Sequence, residues 1–323
     1  MSLPSGVDLT KPKFDQSTYV NRAKHFFLLT NPLNLLASEK DLDDAKRVIS
    51  EYKAGKTEIE GCKSVDDLWR AKYLYDSAFH PDTGEKMIMV GRMSAQVPMN
   101  TAITGAMLTF YKSTPAVIFW QWLNQSFNAL VNFTNRSGSS PIDTNQLLTS
   151  YVMATGGALT TALSLNRLTK KMNPLVGRLV PVVAVAAANC INIPMMRIQE
   201  LKNGISLVDD QYRSLNIASK TAAYQGISAV IVSRILMAMP GMVITPVVVQ
   251  QLANKGVFQK YPKANAPVQM ALVGFILIFA TPLGCAFFSQ MASIKVDDLE
   301  PDVKAVVKKQ KPDLEVAWYN KGL

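Results

Sequence analysis

The placement of charge along this chain limits what it can fold into. Met93–Tyr111, Ser113–Asn135, Thr144–Asn166, Leu179–Met196 and Ala264–Ile294 contain no Asp, Glu, Lys or Arg, and an apolar run at about Thr221–Val249 is interrupted only by Arg234. A bilayer core about 30 Å thick is crossed by roughly 20 apolar helical residues. All of these runs except Ser113–Asn135 read as crossing helices, five in all. The formal net charge of +10 supports the same reading once it is located. Residues 1–92 balance 14 basic against 14 acidic side chains, residues 93–295 carry 15 against 4, and residues 296–323 carry 5 against 6. A nucleic-acid-binding domain gathers its basic residues on a polar surface. Here the excess sits in the most apolar part of the chain, so no nucleic-acid partner is expected. Basic side chains flanking apolar spans orient them and meet anionic lipid head groups. The expected architecture is all-α and polytopic. It comprises a soluble helical region over 1–92, a membrane part over 93–292 and a tail over 293–323.

Ser113–Asn135 differs from the other runs. Its amides Gln121, Asn124, Gln125, Asn128, Asn132 and Asn135 share one helical face, opposite Val117, Phe119, Trp120, Leu123, Phe127 and Leu130. Amides facing lipid would be costly. The helix therefore either lies in the membrane interface or turns its amide stripe toward a polar cavity.

Two helices are predicted before the first span. Ser38 caps one that runs through Leu42, Ala45, Val48, Ile49 and Tyr52 and stops at Gly55. Ser64 and Asp67 form a capping box for a second, through Leu68, Trp69, Tyr73 and Phe79, ended by Pro81. The turn that follows is His80-Pro81-Asp82-Thr83-Gly84. It reads as a capped turn, or as a catalytic His–Asp pair with no nucleophile placed beside it. A J-domain loop would continue into a polar third helix, whereas this chain enters an apolar span. No secretory signal is expected, because Asp8, Lys11, Lys13 and Asp15 precede any apolar run. Cys62, Cys190 and Cys285 are odd in number and far apart, and His25 and His80 are the only histidines. Neither a disulfide framework, a metal centre nor a cofactor is expected, and the chain does not read as an enzyme.

Several blocks together carry a family resemblance. His80–Asn100 (HPDTGEKMIMVGRMSAQVPMN), Thr114–Ser137 (TPAVIFWQWLNQSFNALVNFTNRS), Ala186–Arg197 (AAANCINIPMMR), Ser233–Met242 (SRILMAMPGM), Tyr319–Leu323 (YNKGL) and Phe14–Phe27 resemble the sideroflexins. The resemblance spans essentially the whole chain. It implies a multi-pass protein of the mitochondrial inner membrane, inserted without a cleaved presequence. It also implies an amino-acid carrier, with serine import for one-carbon metabolism as the leading activity and alanine, glycine or cysteine as neighbouring substrates. Some members of the family act in respiratory-complex assembly. The rival expectation is thus a non-transporting scaffold that docks partners on its N-terminal region. With five spans, the count of basic residues gives a small bias for the N-terminus in the matrix.

A carrier of a small zwitterion needs donors for a carboxylate and acceptors for an ammonium, and broken helices supply both. Pro98, Pro194, Pro240 and Pro282 fall inside predicted spans as candidate breaks, as does Pro246. Asn189 and Asn192 share a helix face just before Pro194, and Asn100 follows Pro98. These three asparagines are candidate substrate contacts, against the alternative of interhelical hydrogen bonding. Arg234 either receives a substrate carboxylate or marks a span start and snorkels to the interface. No Asp, Glu or His lies inside any predicted span, so no residue offers itself for proton coupling.

Overall fold

The computed structural model describes residues 3–4, 6–80, 83–110, 113–135, 144–169 and 179–322. Pro81 and Asp82 of the His80 turn lie outside the described residues, as do Lys112, Arg136, Lys170, Lys171 and Arg178 of the basic flanks. The chain divides into two compact units. One is Met1–Ile142 with Pro240–Ala286; the other is Asp143–Met239 with Phe287–Leu323.

In the first unit, helices α1 (Tyr19–Leu29), α2 (Glu39–Lys53) and α3 (Val65–Ala78) form the N-terminal region. The α2 and α3 starts are set by their capping boxes. Ser38 with Asp41 and Ser64 with Asp67 exchange side-chain and backbone hydrogen bonds in both directions. Gly55, at φ +87°, lets the chain turn away after α2. Val48, Ile49, Leu68, Trp69 and Tyr73 pack with Leu3, Leu9, Ile59 and Cys62 into a core of their own. Two 3-10 turns, Met89–Gly91 and Met93–Ala95, lead into α4 (Gln96–Phe110), and α5 (Thr114–Thr134) follows it.

The long helix α9 (Lys220–Asn254) enters this unit at Pro240. After the single turn α10 (Val257–Lys260), α11 (Asn265–Cys285) runs antiparallel to α4. A Cβ on Gly105 would lie 2.8 Å from Met270 Cγ, and one on Gly274 3.1 Å from Thr101 Cγ2. Glycines at such crossings let helix backbones approach where no hydrophobic effect drives association. Arg22 Nε donates to Ala286 O at 2.9 Å and Tyr19 Oη to Leu283 O at 3.2 Å, which fastens α1 to the end of α11.

In the second unit, α6 (Thr144–Thr169) and α7 (Val180–Met196) pack as an antiparallel pair. Each buries a stripe repeating every four residues. Ser150, Ala154, Ala158 and Ala162 form one; Ala184, Ala188, Asn192 and Met196 form the other. A short helix α8 (Ile198–Asn203) then gives way to strands β1 (Ile205–Val208) and β2 (Ser214–Ser219), and the first twenty residues of α9 follow.

The all-α expectation needs correction here. β1 and β2 join β3 (Met291–Lys295) and β4 (Val316–Asn320) in an antiparallel sheet of order β2-β1-β4-β3. Helix α12 (Pro301–Gln310) contributes Val307 to its core beside Leu207, Leu215, Ile294, Val296, Ala317 and Tyr319. These strands are only four to six residues long. Their pairing partners are too remote in sequence for local alternation to announce a sheet. The segment from residue 293 onward is therefore built into a folded layer.

Among the described residues, two helices are long and apolar enough to cross a membrane: Lys220–Asn254, and Pro262–Cys285, which includes the 3-10 turn preceding α11. Arg234 lies inside the first of them, on a helix that continues in both directions and begins at Lys220. The helices carrying the candidate prolines are assigned as continuous past them. Pro98 sits in the first turn of α4, where its missing N–H has no intrahelical partner to lose. Pro194, Pro240, Pro246 and Pro282 lie within continuous helices, each lacking the donor that would bond the carbonyl four residues back.

Candidate functional site

The α5 helix has its polarity turned outside in. Gln121, Asn124 and Gln125 are 0%, 4% and 2% exposed, whereas Ile118, Phe119, Trp122 and Phe133 are exposed. A helix resting on a membrane surface would show its amides to water, so of the two sequence readings the structure takes the inward one. Val117, Phe127 and Val131 are buried beside the amides, so the exposed part of α5 is apolar while its buried part is mixed.

What holds α5 in this orientation is an antiparallel hairpin with α4. At its tip, Phe110 stacks on Trp120 with ring centroids 6.3 Å apart. At its open end, Asn135 Nδ2 donates to Gly91 O at 2.8 Å. A Cβ on Gly91 would lie 2.7 Å from Thr134 Cβ, so only glycine admits this approach.

The polar groups along this hairpin are unevenly satisfied. Asn100, half-buried, donates Nδ2 to Gln96 O at 2.8 Å and to Gln96 Oε1 at 3.1 Å. Gln96 is 6% exposed and its Nε2 is buried without a partner. Asn124 Nδ2, Gln125 Nε2 and Ser94 Oγ are also buried and unpartnered. Of the hairpin's polar residues, the sequence singles out Asn100 as a candidate substrate contact. The amide face was visible from spacing, but its burial depends on long-range packing that spacing does not reveal.

The other sequence candidates lie elsewhere. Asn192, 4% exposed, belongs to the buried stripe of α7, and Asn189 is half-buried one turn before it. Arg234 is half-buried on α9. All three belong to the second unit and Asn100 to the first. His80 closes a turn: its N–H donates to Glu85 O at 2.8 Å, Gly84 N–H donates back to His80 O at 2.9 Å, and Thr83 N–H donates to His80 Nδ1 at 3.3 Å. Gly84 adopts φ +66°, which glycine alone takes without strain. His80 is 8% exposed and accepts from its own turn, which fits a structural role for the described part of the motif.

The second unit has a cleft of about 450 Å³, lined by Gln225, Ser228, Ala229, Val232, Phe288, Ser289, Ala292, Tyr319 and Lys321. Lys321 is only 2% exposed. Its backbone O accepts from Arg197 Nη1 at 2.6 Å, and Tyr319 Oη donates to Gln225 Oε1 at 3.4 Å. Single-residue reasoning gave no reason to expect a buried lysine at this position.

Sequence comparison settles the family. The sideroflexin family model matches residues 8–323. The chain belongs to the sideroflexin family. It is 62% identical to Sideroflexin-1-3 of Drosophila melanogaster over 98% of both chains. It is 53% identical to Sideroflexin-1 and 54% to Sideroflexin-3 of Homo sapiens, in each case over 99% of both chains. No solved structure matches it significantly. The blocks that carry the sideroflexin resemblance pair with one another in space. His80–Asn100 meets Thr114–Ser137 at Gly91, Thr134 and Asn135, and Ala186–Arg197 meets the final block through Arg197 and Lys321.

Proposed function

We propose that this sideroflexin is a multi-pass carrier of the mitochondrial inner membrane, crossing it with about five helices and moving small neutral amino acids, serine foremost, for one-carbon metabolism. The observation that carries this reading is the α4–α5 hairpin, with aromatic side chains outward and amides buried inward. A primary amide offers both N–H donors and a carbonyl acceptor, so a row of them can serve a carboxylate and an ammonium without a charged residue. Asn100 belongs to this row; Asn189, Asn192 and Arg234 would act from the second unit, as interhelical or substrate contacts. The spans carry no Asp, Glu or His, so movement follows the substrate gradient or exchange rather than a proton relay.

Purified protein in liposomes should take up labelled serine, and an imposed pH gradient should not drive its accumulation. Serine accumulated far above equilibrium by that gradient would refute the coupling part; absence of flux would refute the carrier reading. In that event an assembly scaffold becomes the better reading. It is favoured by the exposed Leu33, Leu36, Ile88 and Met89 of the N-terminal region, which suit a docking surface.

A further inference from the structure

Residues 25–38 contain no Asp, Glu, Lys or Arg, although they lie in the N-terminal region, outside every predicted span. Their apolar side chains are not all used in packing. Leu28 on α1 is 39% exposed, and Leu33 and Leu36 on the 3-10 turn that follows (Pro32–Leu36) are 65% and 80% exposed. Val20, two turns before Leu28 on the same face of α1, is 61% exposed. Single exposed apolar side chains are ordinary, but four along one short segment mark a surface that meets something other than water. The polar groups of the segment are satisfied within it. Thr30 Oγ1 donates to Phe26 O at 2.8 Å, Asn34 Nδ2 donates to Leu28 O at 3.0 Å, and Asn31 Oδ1 accepts from Leu33 N–H at 3.0 Å. A segment whose donors and acceptors bond internally leaves water at low cost.

Neighbouring elements fix where this segment sits. Tyr19 and Arg22 hold Leu283 O and Ala286 O at the C-terminal end of α11. Phe27 meets Phe279 edge-on with ring centroids 6.1 Å apart, and Phe279 meets Phe275 at 5.4 Å. Phe275 and Phe279 are exposed, on a helix long and apolar enough to cross a membrane. Phe279 lies six residues inside the Cys285 end of α11, about 9 Å at 1.5 Å per residue. The 3-10 turn Pro32–Leu36 packs in turn against Met93–Ala95, which leads into α4. Gly105 meets Met270 and Gly274 meets Thr101, so α4 and α11 are antiparallel and the start of one lies beside the end of the other. Residues 19–36 therefore reach from the end of α11 to the entrance of α4.

We propose that residues 19–36 form an interfacial element embedded in lipid on the side of the membrane where α11 ends and α4 begins, with Val20, Leu28, Leu33 and Leu36 against acyl chains. The occupant of this surface is lipid because the surface continues the exposed face of α11: lipid that covers Phe275 and Phe279 also meets Phe27 and its neighbours. The depth of Phe279 matches the roughly 5–10 Å to which interfacial helices sink. Lys24 shares the face of Val20 and Leu28, and its ammonium stands 5.9 Å from the Phe14 ring centroid. A lysine stem follows apolar surface while its charge stays among the head groups. Charge returns at Glu39, where the capping box of Ser38 starts α2, and the lipid contact ends there. This placement rests on α11 crossing the membrane, as the carrier reading has it.

The test uses the full-length wild-type protein, purified and reconstituted in phosphatidylcholine liposomes. A small fraction of the lipid carries a photoactivatable diazirine in one acyl chain, either near the ester or at the methyl end, and lipid adducts are mapped by peptide mass spectrometry. Residues 19–36 should be labelled with a yield comparable to that of residues 275–283, and several-fold more by the ester-proximal probe than by the methyl-end probe. Residues 39–53 of α2 should stay near background. Absence of adducts in 19–36 beside a labelled α11 would overturn the proposal, since water or a second copy of the chain would then cover the leucines. Stronger labelling of 19–36 by the methyl-end probe would overturn the interfacial depth, and equal labelling of α2 would overturn the boundary at Glu39. Failure of the membrane reading appears separately, as an α11 that takes no adduct from either probe.

Discussion

Gly91→Ala tests the contact on which the hairpin register depends. The added Cβ would stand 2.7 Å from Thr134 Cβ and 2.8 Å from Thr134 Cγ2, against the 3.5–4.0 Å of an ordinary carbon contact. Thr134 cannot easily swing clear. It is 8% exposed, and its hydroxyl donates to Leu130 O at 2.8 Å. Overpacking of this kind costs about 1–3 kcal/mol. The Asn135 hydrogen bond to Gly91 O would be stretched as the backbones part, adding a further ~1 kcal/mol. Thermal unfolding in detergent should therefore show a midpoint several degrees lower. Thr134→Ala removes two of the colliding atoms, so the double variant should recover about 1 kcal/mol or more relative to additivity. Serine uptake should fall with Gly91→Ala and return in part with the pair. A Gly91→Ala protein that melts with the wild type, or a double variant with no coupling, would refute the close approach of the two segments at Gly91 and Thr134.

Other helix ends and crossings make equally specific demands. Glu300 accepts from Lys220 N at 2.5 Å, Thr221 N at 2.9 Å and Ser219 Oγ at 2.8 Å, so a distant carboxylate caps the start of α9. Glu300→Ala should cost about 1–3 kcal/mol, read as a lower thermal midpoint. Burial pushes the Glu300 carboxyl up, but these hydrogen bonds outweigh it and hold it below the ordinary 4.5. Its contribution is therefore present above about pH 4.5 and is lost as pH falls through the lowered value, so an acid melt of wild type against Glu300→Gln should converge only below that point. Gly105→Ala should lower the thermal midpoint, because its Cβ would crowd Met270 Cγ at 2.8 Å and the Met270 Cα at 3.3 Å. Gly157→Ala should leave the midpoint level or raise it: its Cβ would meet only the far end of Ile191, which can rotate, and alanine favours the helix by about 1 kcal/mol.

Local chemistry was readable from sequence, and pairing was not. Ser38 with Asp41 and Ser64 with Asp67 specify their helix starts within four residues, so the structure reproduces both. Each charge-free run likewise contains a helix, since apolar length is a local property, although Ala264–Ile294 leaves its helix at Cys285 and ends in β3. The sequence locates the prolines, but how far each one interrupts its helix depends on surroundings. Pro98 falls in a first turn, and Pro194, Pro240 and Pro282 lie in helices that continue past them. The sheet was missed because Val208 finds Trp318, a partner no window of local periodicity includes. The amide stripe of α5 was visible as a stripe. Which way it faced required Gly91 and Thr134 to meet, and the unpartnered donors of Gln96, Asn124 and Gln125 became evident only then.

The strand order also fixes a sequence of events in biosynthesis. β1 and β2 can form a hairpin as soon as residue 219 has emerged, but β4 sits between β1 and β3, so the layer cannot close until residues 316–320 are made. Until then β1 presents an unpaired edge, and until residue 300 is made α9 begins without the Glu300 carboxylate that caps it. Such an edge invites pairing with other chains. The interval between synthesis of β2 and of β4 is therefore the period in which this protein most needs a chaperone, and a block on completing β4 should trap it as an aggregation-prone intermediate.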